Sequence, residues 1–402
     1  MSSPALHARQ ATLMIACGGL IYGLIMGVRS SLSLFIGPIN TASGLGLASI
    51  SLAFGIAQLM WGVTQPVAGV LASRYGNARI MVTGALMVAA GTALVPFATS
   101  QWMLILAIAV LGSGGAGFAG PSMIMAALNQ KLPAARRAMA NAMVNVGGSL
   151  GQFLVVPAAQ MIAAGAGWVN TLILLGGTLI AIVPLSRTLW VPATASLAPA
   201  AGDVKVADAL RDRNFPLIAA GFFVCGFHVA FISTHLPGVV AACGLPPEVG
   251  AWSLGVVGLF NIAGSFGIGW AIGRWRSRSL LSLIYASRGA IVAVFLVAPK
   301  TELTFVLFSA AIGLTYLSTV PATATLVSKF YGVRNMATLF GFVMLSHQVG
   351  GFLGAWLGGK AFVASGSYDW MWYADIALAI FAALVHLPIR EAPVRAPAAS
   401  AA

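Results

Sequence analysis

The sequence predicts an all-α membrane protein with twelve transmembrane helices, and three observations lead to this fold class. The chain of 402 residues is 59% hydrophobic and only 7% charged, with a mean hydropathy of +0.94, which leaves too few charges for the surface of a soluble protein. Apolar segments of roughly 20 residues recur along the chain, each long enough to cross ~30 Å of hydrocarbon. Helices are expected because backbone groups in lipid must be hydrogen-bonded within their own segment, and the alternating strands of a membrane barrel are absent from the sequence.

The apolar segments divide into two sets of six. The first set is 11–36, 48–72, 79–99, 102–127, 140–164 and 168–190, and the second is 214–238, 249–273, 279–298, 302–326, 336–359 and 370–389. The first segment is too long for a signal-peptide core and has no small-residue cleavage site, so it is counted as a helix. A stretch rich in Ala, Pro and charged residues separates the sets. We therefore predict an N-terminal bundle over 1–191, a cytoplasmic linker over 192–213, a C-terminal bundle over 214–390 and a tail over 391–402.

The positive charges predict the orientation. Arg29 and Arg288 lie well inside predicted helices, and Lys300 and Lys360 lie at connections on one side of the bundle. All other Lys and Arg residues lie on the opposite side, which carries both termini. The positive-inside rule places that side in the cytoplasm, in the plasma membrane or, in a bacterium, the inner membrane. The net charge of +13 then reflects this bias and contact with anionic lipid, and nucleic-acid binding is not expected.

The two halves resemble each other at an offset of 199 or 200 positions. The matching pairs are Gly27 with Gly226, Arg29 with His228, Pro38 with Pro237, Gly69 with Gly269, Arg74 with Arg274, Pro121 with Pro321 and Gly151 with Gly351. A parallel repeat of six helices is the architecture of a class of transporters in which two halves rock about a central site.

The stretch GVLASRYGNAR, Gly69–Arg79, resembles the signature loop G-x-L-a-D-r-x-G-r-x-x of the major facilitator superfamily. The matching residues are Gly69, Leu71, Arg74, Gly76 and Arg79, whereas Ser73 stands where the superfamily usually has Asp. The resemblance covers essentially the full chain. It implies a transporter that usually works as a monomer, with Gly69, Arg74, Gly76 and Arg79 in a cytoplasmic gating loop.

Arg29 is the leading candidate for a substrate-binding residue, because a charge at mid-membrane is costly and its presence indicates a functional role. Tyr22, Met26, Arg29 and Ser33 follow the spacing of one helix face. Of the eight acidic residues only Asp375 lies well within a predicted helix, near the outer end of the twelfth. A buried Arg without an acidic partner should attract a carboxylate from solution, since its planar fork matches a carboxylate. The alternative is a structural Arg paired with backbone carbonyls.

The residues around Arg29 resemble a helix 1 motif of a particular transporter family. RSSLSLF is similar to the basic, Ser-containing stretch in helix 1 of the monocarboxylate transporters, which have a Lys at or beside this place. The run Y-G-x-x-x-G-x-R-x-S-x-x-L-F and the stretch Ser346–Gly359 resemble bacterial relatives of that family and of the oxalate–formate group. The resemblance implies transport of small organic anions, often with a proton. Those transporters usually carry an Asp and an Arg in helix 8, where this chain has only Asn261, so the usual proton-coupling carboxylate is missing.

Other polar side chains are expected to complete the site, with interhelical hydrogen bonding as the alternative for each amide. The candidates are Gln58, Trp61 and Gln65 in helix 2, Asn141, Asn145 and Gln152 in helix 5, His228 and His235 in helix 7, Tyr316 in helix 10, and His347 and Gln348 in helix 11. His228 and His347 are the candidates for moving a proton, because histidine titrates near neutral pH. Arg288 in helix 9 either bonds backbone carbonyls or supplies a second cation for a dicarboxylate.

The sequence therefore predicts a secondary transporter for small organic anions, monocarboxylates in particular. Arg29 would bind the carboxylate, and His228, His347, Gln348 and Tyr316 would close on it from the second half. Proton coupling, anion exchange and uniport are all open. No nucleotide-binding motif, disulfide framework or metal spacing is present in the sequence, so neither an ATP-driven pump, nor an enzyme, nor a cofactor is expected.

Three other functions fit parts of the sequence. Efflux of neutral hydrophobic compounds is the first alternative, because a cation exporter would need an intramembrane carboxylate. Uptake of a soft metal through residues such as Met139 and Met143 is the second, although Arg29 would oppose a cation. A receptor without transport activity is the third, and the repeat with polar helix faces argues against it.

Overall fold

The computed structural model describes residues 8–191 and 206–391, and these residues form helices joined by short connections. Eleven helical segments in this part of the chain are long and apolar enough to cross a membrane: α1 Arg9–Ser43, α2 Leu47–Ala72, α3 Asn77–Phe97, α4 Gln101–Lys131, α5 Met139–Ala166, α6 Trp168–Leu189, α7 Asn214–Ala242, α8 Pro247–Ile272, α9 Ser277–Val297, α10 Glu302–Tyr331 and α11 Leu339–Ser365. The twelfth, α12, is the helix Asp369–His386. The predicted fold of twelve helices in two bundles is confirmed.

Each half packs its first helix against its fifth through glycines. On α1 and α5, a Cβ added at Gly151 would collide with the backbone of Gly23, and one at Gly147 with that of Gly19. On α7 and α11, a Cβ at Gly226 would meet the backbone of His347 and Gly351. Small residues let membrane helices approach at backbone distance, where dispersion contacts are dense. The predicted internal repeat therefore corresponds to two equivalent helix pairs.

The apolar cores follow the same division. One cluster of buried residues lies almost entirely between Ala11 and Val191. Two further clusters lie mainly between Ala209 and Ile389. A short helix, Val206–Arg211, precedes α7. Residues 192–205 of the predicted linker and 392–402 of the predicted tail lie outside the described residues.

Helices α10 and α11 lie along α7 in opposite directions, and the backbone keeps helical winding from Thr319 to Ser365, through the bend between them. Tyr316 bonds the carbonyl of Val229 in the middle of α7, and Tyr331 packs edge to face on Phe215 at the start of α7. On α11, Ser346 donates to the carbonyl of Ala219 near the start of α7, whereas the later Ala355 bonds His235, farther along α7, through its carbonyl. Helices α10 and α11 therefore run antiparallel to each other.

The two halves touch mainly along two helix pairs, α2 with α11 and α5 with α8, and also where the 3₁₀ turn of α1 meets α7 and α8. We call the end of the bundle that carries the α2–α3 and α8–α9 connections the basic end, and the other the far end. The contacts run from the far end, where Gly359 meets Ser51, to the middle, where Gly62 meets Gln348. Nearer the basic end, Gly69 on α2 and Gly267 on α8 have open space where a Cβ would stand. The described contacts between the halves therefore lie at the far end and in the middle of the bundle.

The turn between α2 and α3 contains the predicted gating loop. Gly76 has φ 84° and ψ 145°, a conformation that side chains with a Cβ rarely adopt. The next residue, Asn77, ties this turn to the end of α6, because its amide donates to the carbonyl of Leu189 at 2.7 Å and accepts from the N–H of Val191 at 2.6 Å. Arg74 and Arg79 are exposed. Their gating role stays a prediction.

Candidate functional site

Helix α1 changes its winding at Leu32, three residues after Arg29. The regular helix ends at Ser31, a tight 3₁₀ turn follows over Leu32–Phe35, and α-helix resumes at Ile36. The hydroxyl of Ser31 donates to the carbonyl of Gly27, and that of Ser33 to the carbonyl of Ser30. Arg29 thus lies in the last turn of a half-helix, where the helix dipole favours a cation.

The guanidinium of Arg29 has neutral partners only. Its Nη2 donates to Oε1 of Gln58 at 2.7 Å, and its Cζ lies 4.3 Å from the ring centroid of Trp61. Its buried Nε has no hydrogen-bond partner. Within the described residues, the ion pairs are His228 with Asp375 and Lys329 with Glu391, so Arg29 has no carboxylate partner there. The site therefore holds a cation with unused hydrogen-bonding capacity.

Arg29 lines a cavity of about 30 Å³ between the two halves. Its walls come from α1, α2, α4 and α7, and consist of Arg29, Ser30, Leu32, Ser33, Phe54, Ala57, Gln58, Ile108, Ser113, Ser233 and Thr234. In this conformation the space admits waters or a very small anion. A cation surrounded by hydroxyl and amide groups is suited to a carboxylate, which can accept hydrogen bonds from all of them.

Several wall residues were not singled out from the sequence. Ser113 reaches the cavity because α4 winds as a π-helix over Ile105–Ser113, and such segments occur often at functional sites. Ser233 and Thr234 come from α7, one to two turns beyond His228. Isolated Ser and Thr residues in membrane helices give no periodic signal, because most of them bond their own backbone.

Some of the predicted residues on α1 and α2 lie at this cavity, and others do not. Gln58 forms its wall, and Trp61 lies beneath the guanidinium of Arg29. Tyr22 is buried on α1 against Gly148 of α5, and Met26 is half-buried. Gln65 bonds the carbonyl of Trp61 in its own helix.

Two of the predicted residues on α5 and α11, Gln152 and Gln348, lie at the contacts between the halves. Gln152 donates to the carbonyl of Leu254 at 2.8 Å, whereas Asn145 is exposed. Gln348 is fully buried against Gly62, and neither its Nε2 nor its Oε1 has a hydrogen-bond partner. Beside it, the ring of His347 lies 4.9 Å from that of Phe222, and its Nδ1 has no hydrogen-bond partner.

Arg288 and Tyr316 meet at a break in α10. The regular helix ends at Thr315 and resumes at Thr319. Nη2 of Arg288 donates to the carbonyls of Thr315 and Tyr316, while Asn261 accepts the N–H of Leu317 at 3.0 Å. The freed backbone groups of the break thus have side-chain partners. These contacts correspond to the carbonyl-binding alternative for Arg288.

Asn261 also links the halves. Its Nδ2 donates to Oγ of Ser149 on α5 at 2.9 Å. Through Asn261, the break in α10 is therefore connected to the opposite bundle. The hydroxyl of Tyr316 donates to the carbonyl of Val229 at 3.0 Å, so this tyrosine is tied to α7.

The histidines have separate environments. His228 bonds Asp375 of α12 through Nδ1, at 2.7 Å from Oδ2, and it does not line the Arg29 cavity in this conformation. Nε2 of His235 lies 2.6 Å from the carbonyl oxygen of Ala355. Its ring packs on Tyr368, between α11 and α12, where burial raises the tyrosine pKa to about 12. These contacts hold α7 against α11 at the far end.

Comparison with known proteins defines the class. The sequence profile of the Major Facilitator Superfamily matches residues 18–355. The chain therefore belongs to the major facilitator superfamily, and it is a multi-pass membrane transporter of a small molecule rather than an enzyme.

The curated relatives include transporters of carboxylates. The chain is 25% identical to an uncharacterized MFS-type transporter of Bacillus subtilis, over 85% of each chain. It is 26% identical to monocarboxylate transporter 13 of Bos taurus, over 86% of this chain and 81% of the relative. It is 22% identical to the oxalate:formate antiporter of Oxalobacter formigenes, over 84% of this chain and 82% of the relative. The predicted resemblance to these groups is confirmed.

Proposed function

We propose that this protein is a secondary transporter that carries small organic anions, monocarboxylates in particular, by alternating access. The observation that carries the proposal is Arg29, a cation in the cavity between the halves whose partners are the neutral Gln58 and Trp61. A substrate carboxylate would accept hydrogen bonds from the unpaired Nε of Arg29 and from the adjacent hydroxyl groups. The names of two relatives, a monocarboxylate transporter and an oxalate:formate antiporter, support this substrate class.

The cavity supports a specific transport cycle. Its walls combine α1, α2 and α4 with Ser233 and Thr234 of α7, so a bound anion would touch both halves and favour their approach. The positive-inside pattern predicts that the basic end lies in the cytoplasm. With its contacts between the halves at the far end and in the middle, this conformation would then be open to the cytoplasm and closed to the outside. Tyr316, His347 and Gln348 would join the site when the basic end closes, and Arg74 and Arg79 would move with the gating loop.

Coupling to protons is part of the proposal. His228 and His347 are the titratable side chains that the sequence suggested for this role, and exchange of anions without protons is the alternative. The transporter is proposed to work as a monomer in the plasma membrane, or in the inner membrane of a bacterium, with both termini in the cytoplasm.

Uptake into proteoliposomes tests the proposal. Labelled lactate, pyruvate and oxalate would be supplied to wild-type protein and to Arg29→Gln, with Arg187→Gln as the matched control because Arg187 is exposed at the end of α6. We expect saturable uptake of at least one anion by the wild type and the control, and its loss in Arg29→Gln. Uptake of none of the three anions, or equal uptake by Arg29→Gln, would refute the anion site at Arg29.

A further inference from the structure

A buried carboxylate–imidazole pair lies between α7 and α12, outside the Arg29 cavity. His228 Nδ1 and Asp375 Oδ2 are 2.7 Å apart, and both side chains are 1% exposed. The second polar atom of each, Nε2 of His228 and Oδ1 of Asp375, has no hydrogen-bond partner. Buried polar atoms are nearly always paired, so two unpaired atoms in one ion pair require an explanation.

The pair is sealed on the side of the far end. Phe231 lies one turn from His228, and Trp372 lies one turn from Asp375, both in that direction. The two rings meet edge to face with centroids 4.7 Å apart, and both residues belong to the buried core of the C-terminal half. Water from the far end is thereby kept from the pair in this conformation.

Arg288 is the buried cation that the described residues place on the neighbouring helices, and it is not hydrogen-bonded to the pair. The titratable groups buried on the packed elements are Tyr285 and Arg288 on α9, Tyr316 and Tyr331 on α10, His347 on α11, Cys225 and His235 on α7, and His386 on α12, which bonds the carbonyl of Ala382. Arg288 bonds the carbonyls of the α10 break, Tyr285 bonds the carbonyl of Gly221, and His235 bonds that of Ala355. The carboxylate therefore has His228 as its described partner.

The pair can offset the charge that a substrate brings. A neutral imidazole that donates from Nδ1 to the carboxylate leaves the pair with a charge of minus one, opposite in sign to the buried cations Arg29 and Arg288. An anion that binds Arg29 adds one negative charge to this region, and one proton added at Nε2 of His228 or at the carboxylate offsets it. Separated charges interact over long distances in a medium of low dielectric constant. Helix α7 connects the sites, since Ser233 in the cavity wall is about 7.5 Å along the axis from His228.

We propose that the His228–Asp375 pair is the proton site of the transport cycle, at which one proton is taken up when an anion binds at Arg29 and released after the anion leaves. This inference rests on the proposed anion transport. It assigns the coupling carboxylate to α12, whereas the sequence suggested only histidines for this role. No bond is formed other than that of the proton to the pair, and the proton comes from and returns to water.

Proton uptake by the purified protein is the first test, and its decisive result comes from the wild type. Lactate is added to the full chain in weakly buffered detergent solution, and the pH change is followed with an indicator dye while binding is measured calorimetrically. We expect about one proton per bound lactate in the wild type and none in Asp375→Asn, which still binds lactate. Lactate binding by the wild type without proton uptake would overturn the proposal, whether or not the variant folds.

Transport by reconstituted variants supplies the second test. Asp375→Asn should exchange internal for external lactate, yet lose at least tenfold in accumulation driven by a proton gradient. Asp369→Asn is the matched control, because Asp369 is exposed on the same helix. Undiminished gradient-driven accumulation by Asp375→Asn would overturn the proposal.

A failure of the anion function has a different signature, namely a wild type that neither binds nor exchanges lactate. The pair is then tested by infrared spectroscopy over a pH series. A titrating band of a buried carboxylic acid in the wild type that Asp375→Asn lacks would support a proton site, and its absence from the wild type would overturn one.

Discussion

Arg29 and Gln58 form a single hydrogen-bonded unit between α1 and α2, with Nη2 of the guanidinium 2.7 Å from the amide Oε1. The amide holds the cation in place without cancelling its charge. The Cβ and Cγ atoms of Gln58 pack against Gly351 of α11. The position of the cation therefore depends on contact between the two halves. An anion site with this construction should respond both to the charge at position 58 and to the conformation of the transporter.

Substitution of Gln58 by Glu should weaken anion binding more than substitution by Leu. In Gln58→Glu the new carboxylate would pair with Arg29 and occupy the hydrogen bonds that a substrate needs. A hydrogen bond to a charged group contributes about 1.5–3 kcal/mol, which corresponds to about a 10- to 150-fold loss in affinity. Gln58→Leu removes only the positioning contact and should cost several-fold. Lactate titrations of both variants give the comparison, and equal affinities would show that charge at this position is unimportant.

Arg288 should contribute to stability through the break in α10. Its removal leaves the carbonyls of Thr315 and Tyr316 without their described partner, at a cost of about 1–3 kcal/mol for each buried group. We expect Arg288→Leu to lower the thermal unfolding temperature in detergent, and Arg288→Lys to recover part of the loss because an ammonium can still donate. An Arg288→Leu protein as stable as the wild type that no longer transports a dicarboxylate would instead favour a role in substrate binding.

Close glycine contact between α1 and α5 should not tolerate a larger side chain. A Cβ at Gly151 would collide with the backbone of Gly23, whereas Gly165 near the end of the same helix has open space. Gly151→Leu should therefore reduce the yield of folded protein severely, and Gly165→Leu should leave it unchanged. Size-exclusion profiles of the two variants after extraction test this, and a monodisperse Gly151→Leu protein would contradict the packing.

The bond between Asn261 and Ser149 should bias the transporter toward closure at the far end. It joins α8 to α5 at 2.9 Å in a buried position. Ser149→Ala removes it without a change in charge, and we expect the population to shift toward the state that is closed at the basic end. Spin-label distances between α2 and α11 at the basic end measure the shift. Ser287→Ala is the control, because that hydroxyl bonds only its own helix.

The fold was predictable because its signals are local. Apolar length defined each helix, and the repeat placed equivalent glycines and prolines at matching positions. Pro121 begins the second part of α4. In α10 the helix resumes at Thr319, and Pro321 lies two residues further on. The breaks themselves were not predicted, since Thr315 and Thr319 resemble any other residues of an apolar helix. Their stability depends on Arg288 and Asn261, which lie on other helices.

Part of the candidate site was predictable because two of its residues stand out in their local sequence. Arg29 was identified because a charge in an apolar helix is conspicuous, and Gln58 because it lies on a polar face of α2. The bond between His228 and Asp375 joins residues 147 positions apart. Nothing in either local sequence indicates such a partner. Asp375 lies near the end of its helix by sequence, and only the packing of α12 on α7 shows that it is buried.

The central claim, that Arg29 binds a carboxylate between the two halves, is tested most directly by calorimetric titration of the purified protein with lactate and with lactamide. The two ligands differ little in shape, but only lactate carries a charge. We predict that the wild type binds lactate and not lactamide, and that Arg29→Gln loses about 10- to 150-fold in lactate affinity, as expected for one hydrogen-bonded charge. Equal binding of the two ligands by the wild type, or unchanged lactate affinity in Arg29→Gln, would contradict the claim.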